Sequence, residues 1–482
     1  MLAGVVGGTL GPLDTVSPIR RLLSKTKLYF REIESIDLDK RTVTLLPQFT
    51  HTPFTLTYDH IVIALGNVTD FRGTPGLHEH ALPFKNLADA IAIRNQLIDT
   101  IEAAAIVEDP ALKAQLLTFV VGGGGFSGTE VVAEVNDFVR KLAKQYPAIT
   151  EEEVRVILAH SKDRLMDREL SKSLGEYAGK LLQERGVDIR FGTKLEAATP
   201  EEAVLSTEER IPSKTIISTV PSSPNPLIEG LDLPKEKGKI ITDQTLFVRD
   251  GIWAIGDCAA IPTEKEGEMC PPTAQFAIRE AKCLARNIIA TERGKKRKPF
   301  YFKALGMMGA LGHHSAVAEL FGKIKFSGLF AWIMWRFVYW IKLPGFDRKL
   351  KVGLSWLLDM LIPPESVQLK IAPSQGISQL HYEQGETIFH QGDIGDYLYI
   401  IVGGSVEVSR SGEKIGVLKK GEFFGEMALL NEHGRSATVT SLEPTDVLAL
   451  RKSDFGALIA NFGELKTKFE ETERQRRGAM GE

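Results

Sequence analysis

The chain has 482 residues, 43% of them hydrophobic and 25% charged, with a formal net charge of −3. That length exceeds what one core fills, so about three domains are expected; the composition excludes wholesale disorder, and the charge balance gives no reason to expect a nucleic-acid partner. Cys258, Cys270 and Cys283 form no C-x-x-C pair, which argues against a disulfide framework or a zinc knuckle, and no metal site is expected.

The start, "MLAGVVGGTLGPLD", lacks a basic region followed by a long apolar run, so no signal peptide is read there. No uninterrupted apolar run of 18 residues occurs, and no spanning helix is expected. Residues 28–47 alternate apolar and polar around Asp39-Lys40, which predicts a strand pair. "YDHIVIALGN" (58–67) predicts a buried strand closing on Gly66, and Leu87 to Ala105 carries helical spacing. The strand "LLTFVV" (116–121), a glycine loop, a helix from about Gly128 to Lys144 and the strand "VRVILAH" (154–160) follow. A helix near 171–185 and the strand "DIRFG" complete a β-loop-α-β order, which predicts a parallel sheet covered by helices.

In "VVGGGGFSGTE" the pattern G-x-G-x-x-G falls on Gly123, Gly125 and Gly128. Small residues are needed there because the backbone turns tightly and lets a pyrophosphate approach the partly positive start of a helix. Alone the pattern is weak; between an apolar strand and a helix it indicates a dinucleotide. The next strand should end in an acid that holds the ribose of NAD, yet it ends in His160, followed by Ser161, Lys162, Asp163 and Arg164. NADH and NADPH therefore both stay open, and surface charge explains Lys162 and Arg164 equally well.

Further on, "GIWAIGDCAA" pairs an apolar strand with Gly256-Asp257, and "CPPTAQFAIREAKCLARNI" opens a helix with Pro271-Pro272. The strand "TYDHIVIALG", the loop-helix "GGGFSGTEVVAE", "AIGD" and "PPTAQFA" stand in the order seen in two-dinucleotide-domain flavoproteins. From residue 1 to about 370 the chain resembles that class, and most closely the type II NADH dehydrogenases (NADH:quinone oxidoreductases). The resemblance implies an α/β, Rossmann-like fold. Its FAD-binding domain would comprise 1–105 and 233–300, and its NAD(P)H-binding domain 106–232.

By that resemblance Asp257 hydrogen-bonds the ribityl and phosphate part of FAD, while Gly256 permits the close approach. The helix opening at Thr273 and Ala274 points its positive end at the flavin pyrimidine. Glu130 matches a glutamate beside nicotinamide and flavin, its alternative being a first-turn acid that complements the helix dipole. Gln275 and Ala274 match residues lining a quinone pocket, although Arg279 and Glu280 stand where a second glutamine is common. The family's opening glycine-rich unit, which holds the FAD adenylate, is not matched. "MLAGVVGGTLGPLDTVSPIRRLL" aligns with a segment beyond it, so the first domain reads as incomplete and the sequence as truncated. Without paired cysteines the electrons leave the flavin for another acceptor, and a quinone is expected.

Between 323 and 351 seven basic residues face one acid, and four of the five tryptophans lie within 332–356. "FSGLFAWIMWRFVYWIKLPGFDRKLK", within a 301–372 segment, predicts a monotopic membrane contact, its alternative being a homodimer or domain interface. The resemblance puts the protein peripherally on the cytoplasmic face of the inner membrane.

Beyond the linker "IAPSQG", residues 373–482 hold short strands broken by glycines and a charged helix near 453–475. They resemble the cyclic-nucleotide-binding domain of the cyclic-AMP receptor protein and the kinase regulatory subunits, an all-β roll with flanking helices. "FGEMALL…GRSATV" matches its phosphate cassette. Glu426 would accept from the ribose 2′-OH, Arg435 would pair with the cyclic phosphate, and Ser436 and the amides of Gly425, Met427 and Ala428 would add contacts. Serine after the arginine favours cAMP. The expected whole is an FAD-dependent NAD(P)H dehydrogenase reducing membrane quinone under cyclic-nucleotide control. The rivals are a flavin-fold scaffold acting only as a sensor, and a flavin reductase with another acceptor.

Overall fold

The computed structural model describes residues 1–46, 54–70, 74–168, 170–219, 222–265, 267–358, 368, 377–393, 397–426 and 435–451. The chain divides into two compact units, Met1–Leu369 and Lys370–Glu482.

At the centre of the first unit is a five-stranded parallel sheet, ordered Leu82–Pro83, Thr215–Ser218, Thr118–Gly122, Arg155–His160, Val187–Phe191. The strand Thr118–Gly122 is buried throughout, and its side chains alternate between two cores as the strand period dictates. Phe119, Val121, Val156, Leu158 and Ile217 face the helices Leu87–Ile106, Phe126–Ala143 and Lys172–Glu184. Val120, Ile157 and Ile216 face the other way, toward Ala198, Ala203, Leu205 and Ile211. Those residues lie in a three-stranded antiparallel sheet, Leu195–Ala198, Glu202–Leu205 and Arg210–Pro212. Long helices thus cover one face, while the other meets this small sheet and Leu77 of the short helix Leu77–His80, where the sequence pattern predicted helical covering in general.

The second α/β part places Ile61–Ile63 parallel to Ile252–Ala254, with Phe247–Arg249 antiparallel beyond. Its core centres on the fully buried Trp253 and on the helix Ala274–Glu292 through Phe276 and Leu284. Next comes an antiparallel meander, Gly306–Ala310, Ala316–Leu320 and Ile324–Ser327, then the helices Gly328–Lys342 and Phe346–Leu358. Alanines of the meander pack against Trp332, Trp335 and Trp356.

The second unit contains two four-stranded antiparallel sheets. One joins Ile377–Tyr382, Thr445–Arg451, Tyr397–Gly403 and Phe423–Phe424, and the other Thr387–Phe389, Thr438–Ser441, Ser405–Arg410 and Glu413–Lys419. Tyr399, Val406, Phe424, Val439 and Val447 fill the space between them. The predicted linker 371–376 and helix 453–475, with Met427 and Ala428, lie outside the described residues.

Candidate functional site

Three of the four glycines after Thr118–Gly122 are there for stated steric reasons. Gly123 has φ of 104°, and its N–H donates to the Ala159 carbonyl at 2.8 Å. A Cβ on Gly124 would stand 2.5 Å from the His160 ring, and one on Gly128 only 1.7 Å from the Gly123 carbonyl oxygen. Gly125 caps the helix Phe126–Ala143 in extended conformation. The loop therefore packs against its own helix with no side chain between, leaving the first-turn N–H groups directed at whatever lies beyond it.

His160 ends the neighbouring strand and is almost fully buried. Its Nδ1 accepts from the Gly124 N–H at 3.1 Å, and its Nε2 lies 2.9 Å from the Arg164 carbonyl. These partners fix the neutral ring with the proton on Nε2, and burial pushes its pKa down.

Glu130, one turn into the same helix, is half-buried, and its Oε1 accepts from the Ala310 N–H at 3.0 Å. Burial raises its pKa. The phenol of Tyr339 is pushed up to about 12, by burial first and the Glu130 charge second. Glu130 is thus held against the meander rather than left in solvent as a dipole acid.

On the other side of the meander, Ile255 donates to the Ile63 carbonyl at 3.1 Å, and Gly256 turns with φ of 73° into the short 3-10 helix Gly256–Cys258 that carries the half-exposed Asp257. Gly66, φ 64°, ends the partner segment, where a Cβ would meet nothing within 4 Å. The Gly256 N–H donates to Glu280 Oε2 at 2.8 Å, and Glu280 is only 2% exposed. Thr273 caps the helix Ala274–Glu292 without a side-chain hydrogen bond, and Ala274 is exposed beside it. Gln275 Nε2 donates to the Gly306 carbonyl at 2.7 Å, while its Oε1 is buried with no hydrogen-bond partner. Arg279 donates to the Gln275 carbonyl at 2.8 Å and lies 4.0 Å over the Phe302 ring.

One strand therefore ties the two helices: Gly306 holds Gln275 and Ala310 holds Glu130. Four residue steps of extended chain separate these anchors, roughly 13 Å.

In the second unit a cavity of about 170 Å³ is lined by Phe389, Val408, Val417, Phe424, Glu426 and Arg435 among others, with Gly425 and Ser436 at its wall. Glu426 and Arg435 are 1% and 5% exposed. The guanidinium donates to the carbonyls of Gly425 at 2.8 Å and Tyr397 at 2.9 Å, and stacks 4.2 Å over Phe389. Gly425 has φ of 86°, and a Cβ there would approach Arg435 Nη1 to 2.5 Å.

Residues 4–281 match the pyridine nucleotide-disulphide oxidoreductases, 305–362 the NDH2 C-terminal domain, and 379–462 the cyclic nucleotide-binding domain. The chain belongs to the pyridine nucleotide-disulphide oxidoreductases. It is an enzyme of the type II NADH dehydrogenase kind. The demethylphylloquinone reductase NdbB of Synechocystis sp. is 31% identical over 352 residues, covering 71% of this chain and 81% of that protein. A probable NADH dehydrogenase of Dictyostelium discoideum is 27% identical over 371 residues, covering 75% and 81%. NDH2 from Plasmodium falciparum, solved in complex with NADH, shares the fold with a TM-score of 0.69 at 18% identity, over 76% of this chain and 91% of that one.

Sequence reasoning placed the glycines and Glu130 on one loop-helix, and Gly256, Asp257, Thr273, Ala274 and Gln275 on another strand-helix pair. It named Glu280 and His160 without seeing the contacts they make. Glu280 falls on the inward stripe Phe276, Glu280, Leu284, Asn287, so an acid at an apolar register position was the available signal. The His160 tie to Gly124 had no signal beyond the histidine itself.

Proposed function

We propose that the protein moves two electrons from a reduced nicotinamide dinucleotide through FAD to a quinone at a membrane surface, under the control of a cyclic nucleotide held in the second unit. The balanced reaction is NAD(P)H, quinone and one proton giving NAD(P)⁺ and quinol. The observation that carries it is the strand Gly306–Ala310, which joins the helix behind a dinucleotide loop to the helix bearing Gln275.

The residues present fit the nicotinamide dinucleotide and the flavin end of FAD. The Gly123–Gly128 loop closes onto the start of its helix only because Gly128 has no Cβ, and the helix start it leaves open suits a pyrophosphate. On the flavin side the left-handed Gly256, the Asp257 carboxylate, the open start of the helix Ala274–Glu292 and the buried, unpartnered Gln275 Oε1 form a set suited to a polar ring with N–H donors. FAD, when bound, supplies the two-electron carrier between nicotinamide and acceptor. The protein orients that exchange: Glu130, whose pKa burial raises, is held by the Ala310 N–H beside the meander, where its carboxyl can take up or pass on a proton, and Gln275 stands at the acceptor end.

The membrane part rests on the helices Gly328–Lys342 and Phe346–Leu358. Leu329, Phe330, Ile333, Phe337 and Ile341 are exposed at helical spacing on the first, and Phe346, Leu350, Leu354 and Leu357 on the second. Arg336, which breaks the apolar run in the sequence, turns inward and lies 3.8 Å over Trp332, so the outer stripe stays apolar. Among the described residues no helix is long and apolar enough to cross a membrane. A face of this kind suits the headgroup boundary of a lipid surface, on the side that meets the nicotinamide pool.

For the second unit, the buried Glu426 and Arg435 in one cavity suit a ribose hydroxyl and a cyclic phosphate, with cAMP as the favoured ligand. The test is quinone reduction by the purified protein on lipid vesicles, with and without cyclic AMP. NADH-dependent quinol formation whose rate changes with cyclic AMP is expected. No quinol sinks the redox reading; a rate indifferent to saturating nucleotide removes the regulatory one.

A further inference from the structure

The end of the strand Arg155–His160 has no carboxylate. In a dinucleotide site selective for NADH, an acid at this position accepts from the ribose 2′-hydroxyl and repels a 2′-phosphate. His160 fills the position here, and its geometry leaves it no such role. Its one acceptor nitrogen is taken by the Gly124 N–H, and its other nitrogen points at the Arg164 carbonyl. It braces the glycine loop from below, and the tight Gly124 approach shows that nothing larger than glycine would permit the brace.

The charges around this strand end are mostly positive. Lys162 and Arg168 are exposed, and both lie close enough to disfavour a charge on His160. The Lys162 backbone is fixed, since its carbonyl accepts from the Gly192 N–H at 3.1 Å at the end of the adjacent strand. Arg164 is committed elsewhere, donating to the Leu170 carbonyl at 2.8 Å and the Asp167 carbonyl at 2.5 Å. Two acids belong to the same turn: Asp163 is exposed, and Asp167 lies 3.6 Å from His160 Nε2. Neither occupies the strand end itself.

We propose that NADPH is a substrate on terms equal to or better than NADH, its 2′-phosphate held by Lys162 and Arg168 beside the buried His160. The inference rests on the dehydrogenase reading above and adds the coenzyme that the loop selects. A strand-end carboxylate supplies discrimination against the phosphate, and this chain has in its place a neutral brace flanked by two exposed cations.

Two measurements on the purified full-length protein test it. The ratio of kcat/KM for NADPH to that for NADH, with a soluble quinone as acceptor, is expected at one or above. Calorimetry is expected to show adenosine 2′,5′-bisphosphate binding more tightly than 5′-AMP. In the exposed double variant Lys162→Ala/Arg168→Ala, kcat/KM for NADPH should fall ~10- to 100-fold, the loss of hydrogen bonds to a charged group, while NADH changes by less than about twofold. NADH oxidised with NADPH refused overturns the coenzyme inference and leaves the dehydrogenase intact. Neither coenzyme oxidised while the 2′,5′-bisphosphate still binds preferentially removes the dehydrogenase reading, and NADPH as a substrate with it, and leaves only the 2′-phosphate site. Equal binding of the two adenosine phosphates also overturns the inference.

Discussion

On the function proposed above, two sites of this chain receive a phosphate, and they use different parts of their residues. At Gly123–Gly128 the backbone would meet it; in the second unit the Arg435 guanidinium would, braced by two carbonyls and an aromatic ring. A backbone site carries no side chain that could choose among dinucleotides, so selection passes to neighbours such as His160 and Lys162. A guanidinium site carries its selection within itself, and the Gly425 and Tyr397 carbonyls hold that group in place while taking only two of its five N–H donors.

The largest expected effect breaks the backbone site. Gly128→Val puts carbon where only 1.7 Å separates a Cβ from the Gly123 oxygen, and NADH oxidation should fall at least ~100-fold while the flavin spectrum is retained. Steady-state kinetics beside an absorption spectrum check this. The guanidinium site should break next: Arg435→Ala should weaken cyclic AMP binding by ~30-fold or more, read by calorimetry, because it removes a buried charged donor. Arg435→Lys should rescue little of it, since lysine lacks the planar fork.

A smaller effect lies at the membrane face. Phe330→Glu combined with Leu354→Glu, at positions 61% and 56% exposed, should lower vesicle co-sedimentation by ~10-fold or more and leave the fold intact. Smallest is a pH effect at Glu280, whose pKa burial raises above the ordinary carboxyl range. The folded protein then holds this proton more tightly than the unfolded chain does. Its contribution is full below the ordinary glutamate value and is lost as pH rises through the raised one. Glu280→Gln can still accept from the Gly256 N–H and should flatten that decline in a series of melting curves taken against pH.

The parts of this molecule that could be read beforehand are those with strong periodicity or steric demand. The glycine loop, the helix behind it and the helix after Pro271-Pro272 all announce themselves locally. The helix Pro110–Leu116 was legible too, through the Asp109 cap and Pro110, but the apolar run ending in Val121 drew the eye to a strand. The sheet Leu195–Pro212 was not legible, because strands of three or four residues leave too few alternations to count. Arg336 could be read only as an interruption, since nothing in the sequence says that it turns onto Trp332. His160 was visible as a missing acid; that it is a neutral brace follows only from where Gly124 and Arg164 stand.

The central claim is that this chain seats a flavin within reach of a nicotinamide bound at Gly123–Gly128. Anaerobic addition of one equivalent of NADH or NADPH to the purified full-length protein, followed by visible absorption, tests it most directly. The account predicts an oxidised flavin band that bleaches on mixing and returns when quinone is added. A protein with no flavin band, or with one that neither coenzyme bleaches, would contradict it.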